Sequence, residues 1–206
     1  MSIANWAENK ILDALFNNVS LAVAQPYVSL HTADPGETGV NEVGGGSYAR
    51  QAASFGAAAS GQVQNDANID FTGMPAVTVV GFGIWDALSG GNCLWTGWLS
   101  TVVRAFVADD LAGDTIRSPG HGFVNDDRVA FEAEDVGTLP TGLSAGTLYW
   151  VVNAATDTFK VSTSQGGSAV DITAVGSGKV RKVVAKTMNA GDTFRFATGN
   201  LTLPLF

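Results

Sequence analysis

Residues 78–99, TVVGFGIWDALSGGNCLWTGWL, decide how this chain must fold. The stretch predicts two β-strands joined by a tight, glycine-rich turn at residues 86–92. An isolated two-stranded ribbon is only marginally stable in water, so a hairpin this apolar must be covered by another part of the chain. Apolar side chains crowd both strands: Val80, Phe82, Ile84 and Trp85 before the turn, and Leu94, Trp95, Trp98 and Leu99 after it.

The composition of the chain limits the fold class and the kinds of partner that we expect. With 206 residues, 46% of them hydrophobic, and 25 glycines, the chain suits one large or two small all-β domains. Its net charge of −8 would repel phosphate backbones, so we expect no nucleic-acid partner. The first residues carry Glu8, Lys10 and Asp13, which is unlike a secretory signal, and no apolar run is long enough to span a bilayer. We therefore expect synthesis in a cytosol, a soluble protein and no membrane insertion.

The N-terminal segment predicts the one convincing helix, over residues 3–18. Asn5 and Glu8 have the spacing of a capping box at its start. Apolar residues then recur at helical spacing and give the helix one apolar face, which should lie against a sheet or a neighbouring subunit. The residues that we expect to form assembly contacts are Trp6, Leu12 and Phe16.

The remaining segments predict a mainly β fold, an antiparallel sandwich or barrel-like core that carries an inserted β module. A strand starting at Tyr27 ends in a turn at Asp34, and further strands are expected at residues 47–55, 62–71, 193–196 and 200–206. We expect the last of these to return to the sheet of the hairpin and cover it. Residues 1–101 and 184–206 would then form the core domain.

Residues 102–183 are more charged and predict a separate, projecting β module. Residues 101–104 and 181–184 could pair as its two-stranded stalk. Six short strands are enough for a compact barrel or sandwich. They are expected at residues 114–117, 127–134, 148–152, 158–162, 170–173 and 179–183.

No pattern indicates a catalytic centre, a cofactor or a metal site. The single cysteine, Cys93, lies within the apolar hairpin and is interpreted as a buried small hydrophobe. His31 and His121 lack companion ligands at metal-binding spacing. Carboxylates cluster near Asp34 and near Asp109, but they fit no calcium-binding loop and are interpreted as solvated turn residues. Glu132 and Glu134 share a strand face that we interpret as solvated, and Tyr149, Trp150 and Phe159 as core residues rather than a binding groove.

The segment YVSLHTADPGETGVNEVGGGSYARQAASF carries a recognisable pattern. It resembles a family of tailed-bacteriophage virion proteins commonly labelled tail fibre-like, in which a short helix precedes a strand of this type. Residues 102–183 depart from the usual form, and HGFVNDDRVAFEAEDVGTLPTGLSAGTLYWVVNAATDTFKVSTS within them looks like a small β module of phage structural proteins. The residues that match the family are Glu42, Val43, Gly45, Gly46, Ser47, Tyr48 and Arg50, then Gly83, Asp86, Ala87, 89–92 and Leu94, and finally 189–193, Phe196, Gly199 and 201–203.

The resemblance implies a non-enzymatic structural component of the virion, such as a decoration, collar or tail-fibre subunit. Its partners would be copies of itself, with a trimer as one option, and other virion proteins. An alternative is an adhesin whose insert binds a host-surface glycan or protein, and a glycan-cleaving enzyme is the least favoured hypothesis. The outermost points of the insert are expected at its turns, at Asn125, Asp126, Asn153 and Asp157.

Overall fold

A computed structural model describes residues 2–134 and 137–205. The fold is mainly β, with one α-helix near the N-terminus of the described chain and several antiparallel sheets, as predicted. The chain forms two compact units. The core unit comprises the chain up to Trp98 and from Lys186 onward, and the barrel unit comprises Leu99–Ala185.

The elements in chain order are β1 (Ser2–Ile3), α1 (Asn5–Phe16), β2 (Tyr27–His31), a 3-10 turn (Gly36–Thr38), β3 (Gln51–Ala52), β4 (Gln62–Gln64), β5 (Ile69–Phe71), β6 (Val77–Val79), β7 (Gly81–Trp85), β8 (Cys93–Trp98), β9 (Ser100–Asp110), β10 (Thr115–Arg117), β11 (Arg128–Ala133), β12 (Leu148–Val152), β13 (Thr158–Ser162), β14 (Gly176–Val183), β15 (Lys186–Met188), β16 (Phe194–Phe196) and β17 (Thr202–Pro204).

The predicted hairpin forms the centre of the core unit. Strands β7 and β8 pair antiparallel, and the sheet continues in the order β1-β8-β7-β2-β3. The turn between them is fixed by Asp86, whose carboxylate accepts hydrogen bonds from the backbone and side-chain amides of Asn92, both at 2.7 Å. Every residue of β7 is buried, so this strand of the hairpin is covered on both faces, as its apolar composition predicts.

The C-terminal segment does not join this sheet, and that prediction was wrong. Instead β15, β16 and β17 pair in turn with β6, β5 and β4, forming an irregular antiparallel ribbon. The register is constant over the first two segments and shifts by one residue before the third. The ribbon still helps to cover the hairpin, because the Phe196 ring packs edge-on against Phe82 with centroids 6.1 Å apart. Phe206, part of the predicted last strand, lies outside the described residues.

Three local predictions also need correction. The strand expected at residues 47–55 shortens to Gln51–Ala52, and the one at residues 62–71 divides into β4 and β5 around the buried Asn65. The helix begins at Asn5 with Ala4 as its N-cap, so the capping box does not form. The backbone N–H of Asn5 donates instead to the carboxylate of Glu37, 3.1 Å away, which places an anion at the positive end of the helix.

The barrel unit is a closed six-stranded barrel in the order β10-β13-β12-β11-β14-β9. Five of the predicted strands of the insert are present in it, and two match the prediction residue for residue. The expected pairing of residues 101–104 with 181–184 is confirmed, with Val103 opposite Arg181, although the ladder continues to Ala108 and is part of the barrel wall. The interior is filled by aromatic and aliphatic side chains, among them Phe106, Phe131, Tyr149, Phe159 and Ile172.

Residues 170–173, expected as a strand, are irregular. Their backbone N–H groups bond to three separate places: Val170 to the carbonyl of Val161, Thr173 to that of Thr141, and Ile172 to the carboxylate of Asp114 at 2.9 Å. Val170 and Ile172 still alternate with exposed residues, and Ile172 is buried. This alternation reflects a segment that packs on the barrel core without joining a ladder.

Candidate functional site

The most exposed apolar region of the core unit lies on and after α1. Leu12, Leu15 and Phe16 fall on one face of the helix, since they are three and four residues apart. Phe16 is 77% exposed, the highest value among the described large apolar side chains. With Val19 and Leu21, which follow the helix, these residues form what we call the helix surface. Single exposed leucines are ordinary, but five exposed apolar side chains within residues 12–21 indicate an interaction site.

An apolar groove adjoins the helix surface. It has a volume of about 230 Å³, and every side chain that lines it is apolar. Ile11 and Leu21 line the groove and connect it with the helix surface, because Leu15 follows Ile11 by one turn and Leu21 belongs to both. Other lining side chains come from α1 (Trp6), from β8 (Trp95), from β17 (Leu203) and from Phe55.

The structure places the three predicted assembly contacts in two neighbouring regions of α1. Trp6 lines the apolar groove, whereas Leu12 and Phe16 lie on the helix surface. The first turn of the helix is held in place: Ala4 and Ala7 are buried, and the Ala4 N–H donates to the carbonyl of Leu94 at 3.0 Å. The second half of the helix has its apolar face open to solvent.

A buried polar network lies beneath the hairpin. Trp85 Nε1 donates to Ser29 Oγ at 2.8 Å, and the Ser29 hydroxyl lies 2.7 Å from His31 Nε2. His31 Nδ1 lies 2.7 Å from the carbonyl of Val40, which can only accept, so Nδ1 carries the proton and Nε2 accepts from Ser29. Burial lowers the pKa of His31 and keeps the ring neutral.

This serine–histidine pair is not an accessible active site. Ser29 and His31 are both fully buried, so no substrate reaches the hydroxyl. The network instead fastens the loop that contains Val40 to β2. Ser29 and His31 share a face of β2 because they are two residues apart in a strand, but nothing in the sequence indicates Trp85 as their third member.

Arg50 fastens the same loop to the hairpin turn. Its guanidinium lies 3.5 Å from the centroid of a Trp85 ring, pairs with Glu42 at 2.8 Å, and donates to the carbonyls of Ala87 and Gly90. Charge-assisted bonds of this kind are stronger than neutral ones, and a planar guanidinium suits them. Gly39 contributes by its lack of a side chain: its φ is +67°, and a Cβ there would overlap the Trp85 ring.

The carboxylates considered as ligands are engaged within the protein. Asp34 accepts from the Gly36 N–H, Asp110 from the Gly113 N–H, and Asp109 pairs with Arg117 at 2.7 Å. Across residues 2–134 and 137–205 no group of three His, Cys, Asp or Glu side chains could hold a metal ion.

Two further predictions concern single side chains. Cys93 is buried, as interpreted, and burial raises the pKa of its thiol to about 12. Glu132 is not merely solvated, because it pairs with the nearly buried Arg181. Burial opposes ionisation of Glu132, but the charge and hydrogen bond of Arg181 outweigh it and lower its pKa.

The aromatic side chains of the insert divide into two groups. Tyr149 and Phe159 belong to the barrel core, which confirms the core interpretation for both. Trp150 is half-buried outside that cluster, with the guanidinium of Arg128 4.6 Å above its ring.

The turns expected at the outside of the insert are exposed and bonded to one another. Asn125, Asp126, Asn153 and Asp157 are all solvent-exposed. Asn125 Oδ1 accepts from the Ala154 N–H at 2.8 Å, which joins the two turns directly. Asp157 joins a third turn, since its carbonyl and carboxylate accept from the N–H groups of Ser118 and Gly120 at 2.8 and 2.9 Å. We call residues 118–127 and 153–157 together the barrel end.

Residues 2–118, more than half of the chain and the whole run from β1 to β10, match the family model described as podophage GP4 fiber I protein gp80. The chain belongs to this family. The predicted resemblance to a tailed-phage, tail fibre-like family is thereby confirmed. No curated protein matches the chain.

Membership in the gp80 family supports a structural role in the virion and a location in the phage particle. The part of this gp80-family chain that the structure describes contains no helix long and apolar enough to cross a membrane. The match includes α1, the loop held by His31 and Arg50, and the hairpin. The closing ribbon segments β15 to β17 lie beyond it.

Proposed function

We propose that this chain is a non-enzymatic fibre-type subunit of a tailed-phage virion that assembles through its core unit and displays its barrel unit outward. The observation that carries the proposal is the exposed helix surface in a chain of a phage fibre family. Apolar surface of this extent is normally covered by a partner. The partners are further copies of this chain, with a trimer as one closed arrangement, and other virion proteins.

The buried network supports a structural rather than a catalytic role. Ser29 and His31 have the chemical types of a hydrolase pair, but each bonds within the fold and neither reaches solvent. Their bonds to Trp85 and Val40 rigidify the loop beside the N-terminus of α1. A rigid base for the helix is what a repeated assembly contact needs.

The experiment is localisation in intact particles combined with mass in solution. Antibody-labelled electron microscopy of virions, with particles of a phage lacking this gene product as control, should show the chain at defined, symmetry-related positions. The purified full chain should sediment as an oligomer at tens of micromolar. A chain that is absent from purified particles would overturn the proposal.

A second candidate function, host adhesion, is favoured by the barrel end. Its three turns are exposed yet cross-bonded, and loops held in this way lose little entropy when a partner binds. The partner would be a host-surface glycan or protein. The full chain with Asn125→Ala and Asp157→Ala, compared with a Glu134→Ala control, should bind host cells more weakly. Equal binding by both variants would remove this candidate.

A further inference from the structure

The apolar groove and the helix surface of one chain complement each other. We propose that the Phe16 side chain of one copy fills the apolar groove of a second copy. The proposal rests on the assembly proposed above and names the contact that forms it. Phe16 does not fill the groove of its own chain, because it is 77% exposed in the single chain.

The size and chemistry of the groove fit a phenyl group. An apolar protein cavity of about 150 Å³ accommodates benzene, so a groove of about 230 Å³ has room for a phenylalanine side chain. Since every lining side chain is apolar, a charged or strongly polar occupant would lose its water without gaining a partner. The groove therefore favours an apolar, ring-sized occupant.

The area available fits a second copy of this chain. The five side chains of the helix surface together expose on the order of 500 Å², in the range of the largest patches on monomers, ~300–600 Å². A standard interface takes about 800 Å² from each partner. The helix surface and the lining of the groove, which meet at Ile11 and Leu21, would supply well over half of that area.

Each copy carries one Phe16 and one groove, so the contact can repeat. Reciprocal insertion between two copies closes a dimer, and insertion in one direction closes a ring such as a trimer. In both arrangements, a chain without its phenyl group still offers a groove, and a chain with a filled groove still offers its phenyl group. This asymmetry allows the contact to be tested by mixing.

The test uses sedimentation velocity of the full chain. Phe16→Ala should weaken self-association about 30-fold, the size of effect expected for removing one fully buried phenylalanine side chain. Leu21→Trp should fill the groove and weaken association similarly; Leu21 lies outside helix and strand, so the fold should tolerate it. The matched control is Leu88→Ala, which removes an equally apolar, 53% exposed side chain at the hairpin turn and should leave association unchanged.

Mixing gives the decisive outcome. Phe16→Ala and Leu21→Trp, each monomeric alone, should form a 1:1 complex when combined, because one intact groove then meets one intact phenyl group. Association of Phe16→Ala as tight as that of the native chain, or no complex on mixing, would overturn the docking while leaving an oligomer formed by other residues. A native chain that is monomeric at tens of micromolar would overturn both the docking and the proposed self-assembly.

Discussion

The barrel unit and the core unit reach similar burial by different means. The barrel closes its main-chain ladder on itself, so its strands have paired edges and its interior is filled by apolar side chains. The core unit has a five-stranded sheet and a ribbon divided into three short pairs. Buried or partly buried polar side chains hold its loops: Asn65, His31 and Arg50.

The difference shows where each unit is vulnerable. In a closed barrel each strand is held by many backbone hydrogen bonds. The volume of a central side chain therefore matters more for stability than any single hydrogen bond. In the core unit one side chain can satisfy several backbone groups that have no other partner. Removing it leaves buried donors and acceptors unpaired, which costs more than the bonds themselves contributed.

The largest effect is expected in the barrel core. Phe159 is fully buried, with its ring 5.4 Å from Phe123 and 5.0 Å from the His121 ring. Phe159→Ala should lower the free energy of unfolding of the barrel unit by about 3–5 kcal/mol, because the cavity cannot collapse in a closed barrel. Amide hydrogen exchange should show lost protection in the barrel strands alone.

The reciprocal control is Phe194→Ala, which removes a buried ring from the ribbon. Its loss of protection should be confined to the core unit. Equal loss of amide protection in both units from either variant would show that the two units unfold together, and would contradict the prediction that each is stabilised by its own interior.

A smaller effect, of polar origin, is expected at Asn65. Its amide donates to the carbonyls of Ala67 and Ala197 and accepts from the Leu201 N–H at 2.8 Å, at the point where the ribbon shifts register. Asn65→Ala should lower the free energy of unfolding, measured in urea, by about 2–3 kcal/mol, because buried backbone groups lose their hydrogen-bond partner.

Asn68 provides the matched comparison for Asn65. It also bonds the returning segment, through the N–H of Thr198 at 3.1 Å, but it is exposed. Asn68→Ala should cost under about 1 kcal/mol, since water replaces the lost partner. Similar costs at both positions would mean that burial is not what makes Asn65 important.

The buried histidine should make the core unit sensitive to pH. Because burial lowers the pKa of His31, the unfolded chain binds a proton near pH 6.5 that the folded chain does not. Stability should therefore fall as pH drops through about 6.5 toward the folded-state pKa, by up to about 1.4 kcal/mol per pH unit. A protonated ring would also require the Ser29 hydroxyl to turn toward the Gly83 carbonyl, 3.4 Å away.

Urea unfolding between pH 7.5 and 5.5 checks this, since the window lies above the ordinary range of carboxylates. His31→Gln should be less stable at pH 7.5 but should lose the dependence on pH over the window. An unchanged slope in His31→Gln would assign the dependence to another group.

Local patterns explain what the sequence could predict. A dense run of apolar residues around a glycine-rich turn identified the hairpin, short β-prone segments identified five barrel strands, and helical spacing identified α1. It also identified Trp6, Leu12 and Phe16 as candidate contacts, whose role stays a prediction. The ribbon was missed because Leu201 and Leu203 alternate whichever strand they pair with, and Pro204 and the shift in register leave no periodic signal.

The polar side chains that hold the loops could not be predicted, for a related reason. Asn65, Arg50 and Glu37 each act on residues distant in sequence, and a single asparagine or glutamate looks the same whether it is solvated or bonded. The capping box illustrates this: Asn5 and Glu8 had the right spacing, but the acceptor at the start of α1 is Glu37, 32 residues away from Asn5.

The smallest predicted effect tests this remote cap. Glu37 accepts from the Asn5 N–H and from the Ser2 hydroxyl at 3.3 Å, and it is exposed. Glu37→Gln keeps an acceptor but removes the charge at the positive end of the helix, so it should cost about 0.3–1 kcal/mol, and less at high salt. Glu8→Gln, in the first turn but without a cap bond, is the matched control. If Glu8→Gln lowers the free energy of unfolding as much as Glu37→Gln does, the helix responds to any negative charge in its first turn. The hydrogen bond from Asn5 to Glu37 would then not be what stabilises the start of α1.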